Sequence, residues 1–334
     1  MPENNRYPNI NIRSKNELAK RISGSNFTHG EALILINDVL ANYDKYWRDN
    51  IKASDFKNEK YVRTSYGNPL GKLLNLINKK VLAPTDKILP DFIFGGVSKK
   101  NHIQASLSLL GGHRKRIKLG ADIRRFFEQN DSKRIEILLN NKCGCSKKAS
   151  KLIANLCCVS VGQKNSNSKR KTIARGFATS TRLATLCNLD LFLRVSWAVK
   201  KMLKGHNPRL TIYVDDIGIS AYNVSEDLMN EVYDKIESIL KNYDTNHSLL
   251  LNDKKNISSY TTGNVEHLGL KLCRNKVIAG ANTLRKRSFV KEKLKDSNTN
   301  VKEKRSLIAK EKSYRRYDAY IKKLNTERLI KTNK

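Results

Sequence analysis

The stretch Thr211-Ile212-Tyr213-Val214-Asp215-Asp216-Ile217-Gly218-Ile219-Ser220 constrains this chain more than any other. Two adjacent carboxylates stand between short runs of β-branched and apolar residues, the pattern of a strand, a tight turn and a second strand. The expectation is a β-hairpin with charge at its tip. Aspartate is common in turns, so turn chemistry alone accounts for the pair. The charge balance opens a second account, because Lys and Arg total 65 against 31 Asp and Glu, a net charge of +34. Acids framed by apolar strands in so basic a chain ask for a counter-ion, and a hard divalent cation such as Mg2+ suits carboxylate oxygens.

That positive excess repels itself in a compact fold and implies a polyanionic partner, nucleic acid before all others. An anionic membrane surface is the competing partner. The sequence has no apolar run long enough to span a bilayer, no lipidation signal and no charged-then-apolar secretory start. A soluble, cytoplasmic protein with no membrane partner is therefore expected. The six cysteines, Cys143, Cys145, Cys157, Cys158, Cys187 and Cys273, lack zinc spacing: Cys143-Gly144-Cys145 is too tight for a knuckle, and no second pair matches it. Reduced, mostly buried thiols are expected. A length of 334 residues suits one large enzyme or two to three subdomains sharing a cleft.

Helical spacing of apolar residues from Lys15 to about Asp49, broken by Gly24-Ser25-Asn26, predicts two helices. Arg63 to Pro69 reads as a strand or loop ending in a turn, and Leu70 to Val81 as an amphipathic helix. Phe92-Ile93-Phe94 predicts an apolar strand running into Gly95-Gly96, where paired glycines either let backbone approach a phosphate or template, or simply turn. The basic run His113-Arg114-Lys115-Arg116 precedes a short strand ending at Asp122, an acid that also suits a helix N-cap. Asp131 to Val159 is helical around the Cys-Gly-Cys interruption, and Gln163 to Lys171 is a polar loop. Thr172-Ile173 reads as a strand breaking at Gly176 into one long helix that reaches about Lys204. Ser225 caps a helix running to Leu240, Leu249-Leu250-Leu251 reads as a strand, and His267–Leu272 with Lys276–Gly280 as a hairpin. Beyond Leu284 the chain is heavily basic, with Leu307, Tyr314, Tyr317, Ile321 and Leu324 spaced to pack one helix face while the other stays cationic.

Strands alternating with helices, and acids at the ends of two different strands, imply a sheet with helices packed on it, at whose edge Asp122 and Asp215-Asp216 meet. Three converging carboxylates repel one another unless cations are bound, and the surrounding Lys and Arg would hold a phosphate-rich substrate beside those cations. This arrangement suits two-metal phosphoryl transfer. The same residues carry a resemblance. Asp122-Ile123-Arg124-Arg125-Phe126-Phe127, Gly176-Phe177-Ala178-Thr179-Ser180 and Tyr213-Val214-Asp215-Asp216 resemble motifs A, B and C of reverse transcriptases, in the same order. The likeness covers roughly Arg63 to the C-terminus. It points to bacterial retron and antiphage-defence reverse transcriptases, through Asp-x-x-x-Phe-Phe and Phe94-Gly95-Gly96-Val97-Ser98-Lys99. Lys254 and Lys255 are similar to the motif D lysine region, and His267-Leu268-Gly269-Leu270 to the primer-grip motif.

The resemblance implies an α+β right-hand polymerase. Its parts would be a helical N-terminal segment (1–55), fingers (56–117), a palm carrying motifs A to E (118–275, with a fingers-like helical insertion at 132–171) and a basic helical thumb (276–334). Asp122, Asp215 and Asp216 become the catalytic acids holding two Mg2+ ions, with Mn2+ as a substitute and the Ile123 carbonyl as an extra ligand. Phe127 matches the bulky residue that crowds the sugar 2'-OH position and favours deoxynucleotides, though it equally suits a stacked core. Arg114 and Arg116 match fingers cations that hold the triphosphate; Arg175, Gly176 and Lys254 line the nucleotide site. Tyr213 lies under the primer terminus, and Gly95, Gly96, His267 and Gly269 face primer or template.

Two departures stand out: Arg175 occupies the place of the family's usual Gln, and Thr181 that of its usual Pro. A fixed cation beside the incoming nucleotide either strengthens triphosphate binding or blocks an ordinary template base pair. No nuclease, maturase-like or integrase domain is recognisable, which suits a compact polymerase working with a dedicated RNA. The function expected is an RNA-directed DNA polymerase copying a bound noncoding RNA into DNA from dNTPs in bacterial antiviral defence, with a partner protein or a homo-oligomer in a defence complex. One alternative is a template-independent or protein-primed DNA synthase, with Tyr314, Tyr317 and Tyr320 among the candidate hydroxyls. Another is a non-catalytic RNA-binding scaffold, against which all three acids are present.

Overall fold

A computed structural model of the chain describes residues 7–111, 116–243, 249–252, 256–259, 265–296 and 300–332. The first helices, α1 (Lys15–Ile22) and α2 (His29–Asn42), start where Ser14 and Thr28 accept backbone N–H groups, Thr28 in a reciprocal capping box with Glu31. Strands β1 (Arg48–Asp49) and β2 (Arg63–Thr64) pair antiparallel. Helix α3 (Pro69–Ile77) is capped by Asn68, with Pro69 at its first position, where the missing N–H has no intrahelical partner to lose. Then come α4 (His102–Ser108), β3 (Arg116–Asp122), α5 (Ser132–Ile137), α6 (Lys147–Cys157), β4 (Cys158–Ser160), β5 (Lys171–Ile173), α7 (Ser180–Cys187) and α8 (Leu189–Met202). Strands β6 (Arg209–Tyr213) and β7 (Asp216–Tyr222) lead to α9 (Glu226–Asn242), β8 (Asn256–Ser259), β9 (Glu266–His267), β10 (Leu270–Leu272), β11 (Val277–Ala279), α10 (Ala281–Lys295) and α11 (Val301–Thr332). Helices and antiparallel sheets in this mixture make an α+β fold.

The chain forms two compact units. The first comprises Met1–Lys99, Ile123–Leu193 and Leu240–Leu250. Its interior is built from Leu18, Ile22, Ile36, Leu70, Leu73, Leu74 and Ile77, all fully buried. A polar knot sits in the same interior: Asn188 Nδ2 donates to Asn130 Oδ1 (2.9 Å) and to the Ala184 carbonyl (2.8 Å), and Asn188 Oδ1 accepts from the Arg134 guanidinium (2.8 Å).

The second unit comprises Lys100–Asp122, Arg194–Ile239 and Leu251–Lys334. It holds a four-stranded antiparallel sheet in the order β6-β7-β3-β8. Register pairs Lys118 with Ser220, Gly120 with Gly218 and Asp122 with Asp216 across β3 and β7, and Thr211 with Gly218 and Tyr213 with Asp216 across β6 and β7. Because side chains alternate along a strand, these residues share one polar face. Ile117, Leu119, Ala121, Ile212, Ile217, Ile219 and Ala221 fall on the other. A second sheet, ordered β11-β10-β9, joins α4 and α11 in a core of Ile103, Leu107, Leu110, Val265, Leu270, Leu272, Val277, Ile321 and Leu324. The periodic face expected along the basic C-terminal segment is therefore real: Leu307, Ile321 and Leu324 are buried, and Tyr314 and Tyr317 half-buried.

Three sequence expectations need correction. Phe92–Phe94 is not a strand: Phe92 lies in a turn and Ile93 makes only a single-residue bridge, its N–H bonding the Pro90 carbonyl (3.0 Å), ahead of the Gly95-Gly96 turn. The helix after Gly176 is two helices, because Asn188 turns its side chain back onto the Ala184 carbonyl and ends α7. The strand beside β3 is Asn256–Ser259, and the strand expected at Leu249–Leu251 is no more than a single-residue bridge at Leu251. In the latter segment Leu249 N–H bonds the Leu240 carbonyl (3.0 Å) and the Leu250 carbonyl accepts from Arg124 N–H (2.8 Å).

Candidate functional site

The acids converge within the second unit. Asp122 ends β3, Asp216 opens β7 directly opposite it, and Asp215 lies in the two-residue turn after Tyr213. One carboxylate oxygen from each of the three falls within 4.8 Å of the others. The turn is strained: Val214 has φ 62°, a left-handed conformation unfavourable for a β-branched side chain and usual for glycine at the first position of such hairpins. Val214 is held there because the register on either side fixes Tyr213 against Asp216.

Charge explains the rest of the site. Burial first, then Asp215 and Asp122, push the Asp216 carboxyl from 3.8 up to about 7, with Lys118 pulling the other way. Lys118, four residues before Asp122 and on the same face, is almost wholly buried. Burial brings its amine down to about 8 against the opposing pull of Asp216 and Glu266, and its Nζ donates to the Glu266 carbonyl at 2.6 Å. Asn252 grips Asp122 twice, its backbone N–H on the Asp122 carbonyl (2.8 Å) and its Nδ2 on the Asp122 carboxylate. Neither Lys118 nor Asn252 was singled out from sequence. Period-two spacing from Asp122 marks Lys118, whereas nothing in the sequence marks Asn252.

Beside the acids is a cavity of about 240 Å³, lined among others by Lys118, Gly120, Asp122, Asp216, His267 and Gly269. The His267 ring lies over Gly218, where an added Cβ would come within 2.7 Å of it, and its Nε2 is 3.3 Å from the Thr211 hydroxyl. Burial, then Lys118, keep the imidazole neutral. Its side chain is thus a packing group rather than a primer contact. What the hairpin offers outward is the Leu268–Gly269 turn, with both residues at positive φ and Gly269 exposed. Tyr213 is half-buried and meets His102 edge to face, with ring centroids 6.5 Å apart.

Arg116 is also corrected. It is 2% exposed, its Nε bonding the Ser220 hydroxyl (3.0 Å) and its NH2 the Ser220 and Asn207 carbonyls. Six residues of strand, about 20 Å at ~3.3 Å per residue, separate it from Asp122. It fastens the far end of the sheet. Arg114, Lys254 and Lys255 lie outside the described residues.

The remaining candidates belong to the first unit. Gly176 (φ 100°) passes so close to the Arg63 carbonyl that no Cβ fits. Arg175 forks onto Glu128 (Nε–Oε1 and NH2–Oε2 both 3.1 Å) with its guanidinium 5.0 Å from the Phe127 ring centre, so Phe127 is nearly covered. A cavity of about 280 Å³ lies alongside, lined among others by Arg63, Arg125, Glu128, Arg170 and Arg175. Gly96 (φ 73°) abuts Thr181, and Arg182 next to it forks onto Asp86 (2.9 Å twice), whose Oδ2 also takes the Ser98 N–H (2.7 Å). The glycine loop is thereby pinned to the start of α7. Ile123 is buried. All six cysteines are free thiols, and burial raises Cys143, Cys157 and Cys187 to about 12, which leaves them protonated and inert at neutral pH. No helix among the described residues is long and apolar enough to cross a membrane.

No protein-family model matches the sequence, and no curated protein matches it.

Proposed function

We propose that this protein is an RNA-directed DNA polymerase of the reverse transcriptase type, with a right-hand arrangement of fingers, palm and thumb, working with a bound noncoding RNA in bacterial antiviral defence. The observation that carries the proposal is the meeting of Asp122, Asp215 and Asp216 at the end of an antiparallel sheet, on a strained hairpin turn. Carboxylates this close, one of them forced to about 7, are a poor arrangement for an uncompensated surface and a good one for hard divalent cations. Asp122, Asp215 and Asp216 would hold Mg2+. Such ions supply acidification of the primer 3'-hydroxyl and neutralisation of the leaving pyrophosphate.

The chain's own groups have separable tasks. Asn252 fixes the direction of the Asp122 carboxylate. Lys118 supplies fixed positive charge behind Asp216 and ties the Leu268–Gly269 hairpin to the sheet through the Glu266 carbonyl. That turn presents backbone groups to a primer strand. The experiment is Asp215→Asn, which should abolish Mg2+-dependent incorporation of deoxynucleotides and leave RNA binding intact; synthesis by that variant overturns the assignment.

Template-independent or protein-primed synthesis is the second proposal, and the Arg175–Glu128 fork favours it. A guanidinium clamped by a carboxylate is not free to swing onto a triphosphate, which leaves obstruction of a template base as its remaining effect. A product that is a defined complement of a bound RNA refutes template independence, and a homopolymer made without RNA supports it.

A further inference from the structure

Far along the chain from the acids, α10 and α11 form an open cavity of about 410 Å³ lined by Arg285, Lys286, Phe289, Val290, Lys310 and Tyr314. The four residues from α10 fall on one helix face, and Lys310 and Tyr314 are one turn apart on α11. Val290 is buried at the floor, whereas Phe289 is 58% exposed. Folding gains little from an aromatic ring left so open. Two carboxylates of this helix pair are committed elsewhere: Glu311 bonds Arg287 and Arg315 (both 3.3 Å), and Asp318 bonds Arg287. Arg285, Lys286 and Lys310 have no carboxylate partner among the described residues.

We propose that this cavity seats an unpaired base of single-stranded nucleic acid between Phe289 and Tyr314, with the flanking phosphates held by Arg285, Lys286 and Lys310. Two aromatic rings among three cations match the two surfaces of a nucleotide, a flat π-face and an anion. A peptide is a poorer fit. Its backbone needs donors and acceptors, and the only side-chain acceptor in the lining is the Tyr314 hydroxyl, whereas phosphate needs donors alone. The proposal does not depend on polymerase activity, and its test contains neither divalent cation nor deoxynucleotide.

The measurement is binding of a fluorescein-labelled oligouridylate to the full chain in EDTA. Phe289→Ala should weaken binding about 5- to 150-fold, the span of one lost base stack, with Phe289→Trp restoring it. An abasic oligomer of the same length should bind wild type and Phe289→Ala alike. Lys310→Gln should lower the slope of log affinity against log salt by about 0.7, one phosphate contact on a single strand. Thermal melting guards against misfolding, and Tyr314→Leu provides a second lesion in the same cavity. Equal oligouridylate binding by wild type and Phe289→Ala, or the same loss on the abasic oligomer, overturns the proposal. Displacement of the RNA by an equal concentration of oligoglutamate also overturns it and marks an acidic protein partner instead.

Discussion

Replacing Asp216 by Asn should stabilise the metal-free protein, the reverse of the usual effect of altering a site residue. Burial and the neighbouring Asp215 and Asp122 raise the folded-state carboxyl to about 7, against about 3.9 in an unfolded chain. A group raised in this way binds its proton more tightly when folded. The stability it lends is therefore complete below about pH 4, falls as pH rises through about 7, and is gone above that. About 3 pH units at about 1.4 kcal/mol each amount to about 4 kcal/mol of penalty on the ionised form. Asparagine carries no charge and avoids the penalty, while Lys118, losing its counter-charge, takes some of the gain back. In urea unfolding with EDTA at pH 8, Asp216→Asn should exceed wild type by about 2–4 kcal/mol, and the gap should narrow at pH 5. Adding Mg2+ should then stabilise wild type and not the variant. A variant no more stable than wild type at pH 8 in EDTA would refute the electrostatic account of the cluster.

Asn252→Ala removes a hydrogen bond to a carboxylate, worth ~1.5–3 kcal/mol of stability, so Tm should fall, and kcat/KM for deoxynucleotide incorporation, measured well below that Tm, should fall at least about tenfold as the Asp122 carboxylate loses its fixed direction. Val214→Gly relieves the positive φ of the hairpin turn and should raise stability by about 1 kcal/mol, read as a higher Tm; a lower Tm would mean that the turn is not strained. Arg175→Gln separates the fork with Glu128 and should increase copying of a supplied RNA template relative to untemplated addition, measured by sequencing the products; an unchanged ratio removes Arg175 from template choice.

What the sequence discloses follows from how local each cause is. The hairpin at Tyr213-Val214-Asp215-Asp216 is legible because alternation and turn chemistry act over a few residues, and the packed face of α11 because Leu307, Ile321 and Leu324 keep a helical period. That Asp122 lies opposite Asp216 depends on strand order, which the residues suggest only through acids at two strand ends. Arg116 misleads for a physical reason. A cation beside a basic run reads as a phosphate ligand, and only the register, which sets it against Tyr222 and within reach of Ser220 and Asn207, shows that its Nε and NH2 donors are taken up inside the fold. His267 misleads likewise: the bare Gly218 beneath it, two strands earlier in sequence, draws its ring inward. Asn188 escapes notice because a polar side chain inside an apolar helical run is read as a tolerated exception, whereas its side chain turns back onto the Ala184 carbonyl where α7 ends and is held there by Arg134 and Asn130.

The central claim is tested most directly by purifying the protein with its bound nucleic acid, adding Mg2+ and dNTPs, and sequencing what is made. The account predicts DNA complementary to a co-purified RNA, absent in EDTA and absent from Asp215→Asn. No incorporation by the wild-type protein, or incorporation that persists in Asp215→Asn, would contradict it.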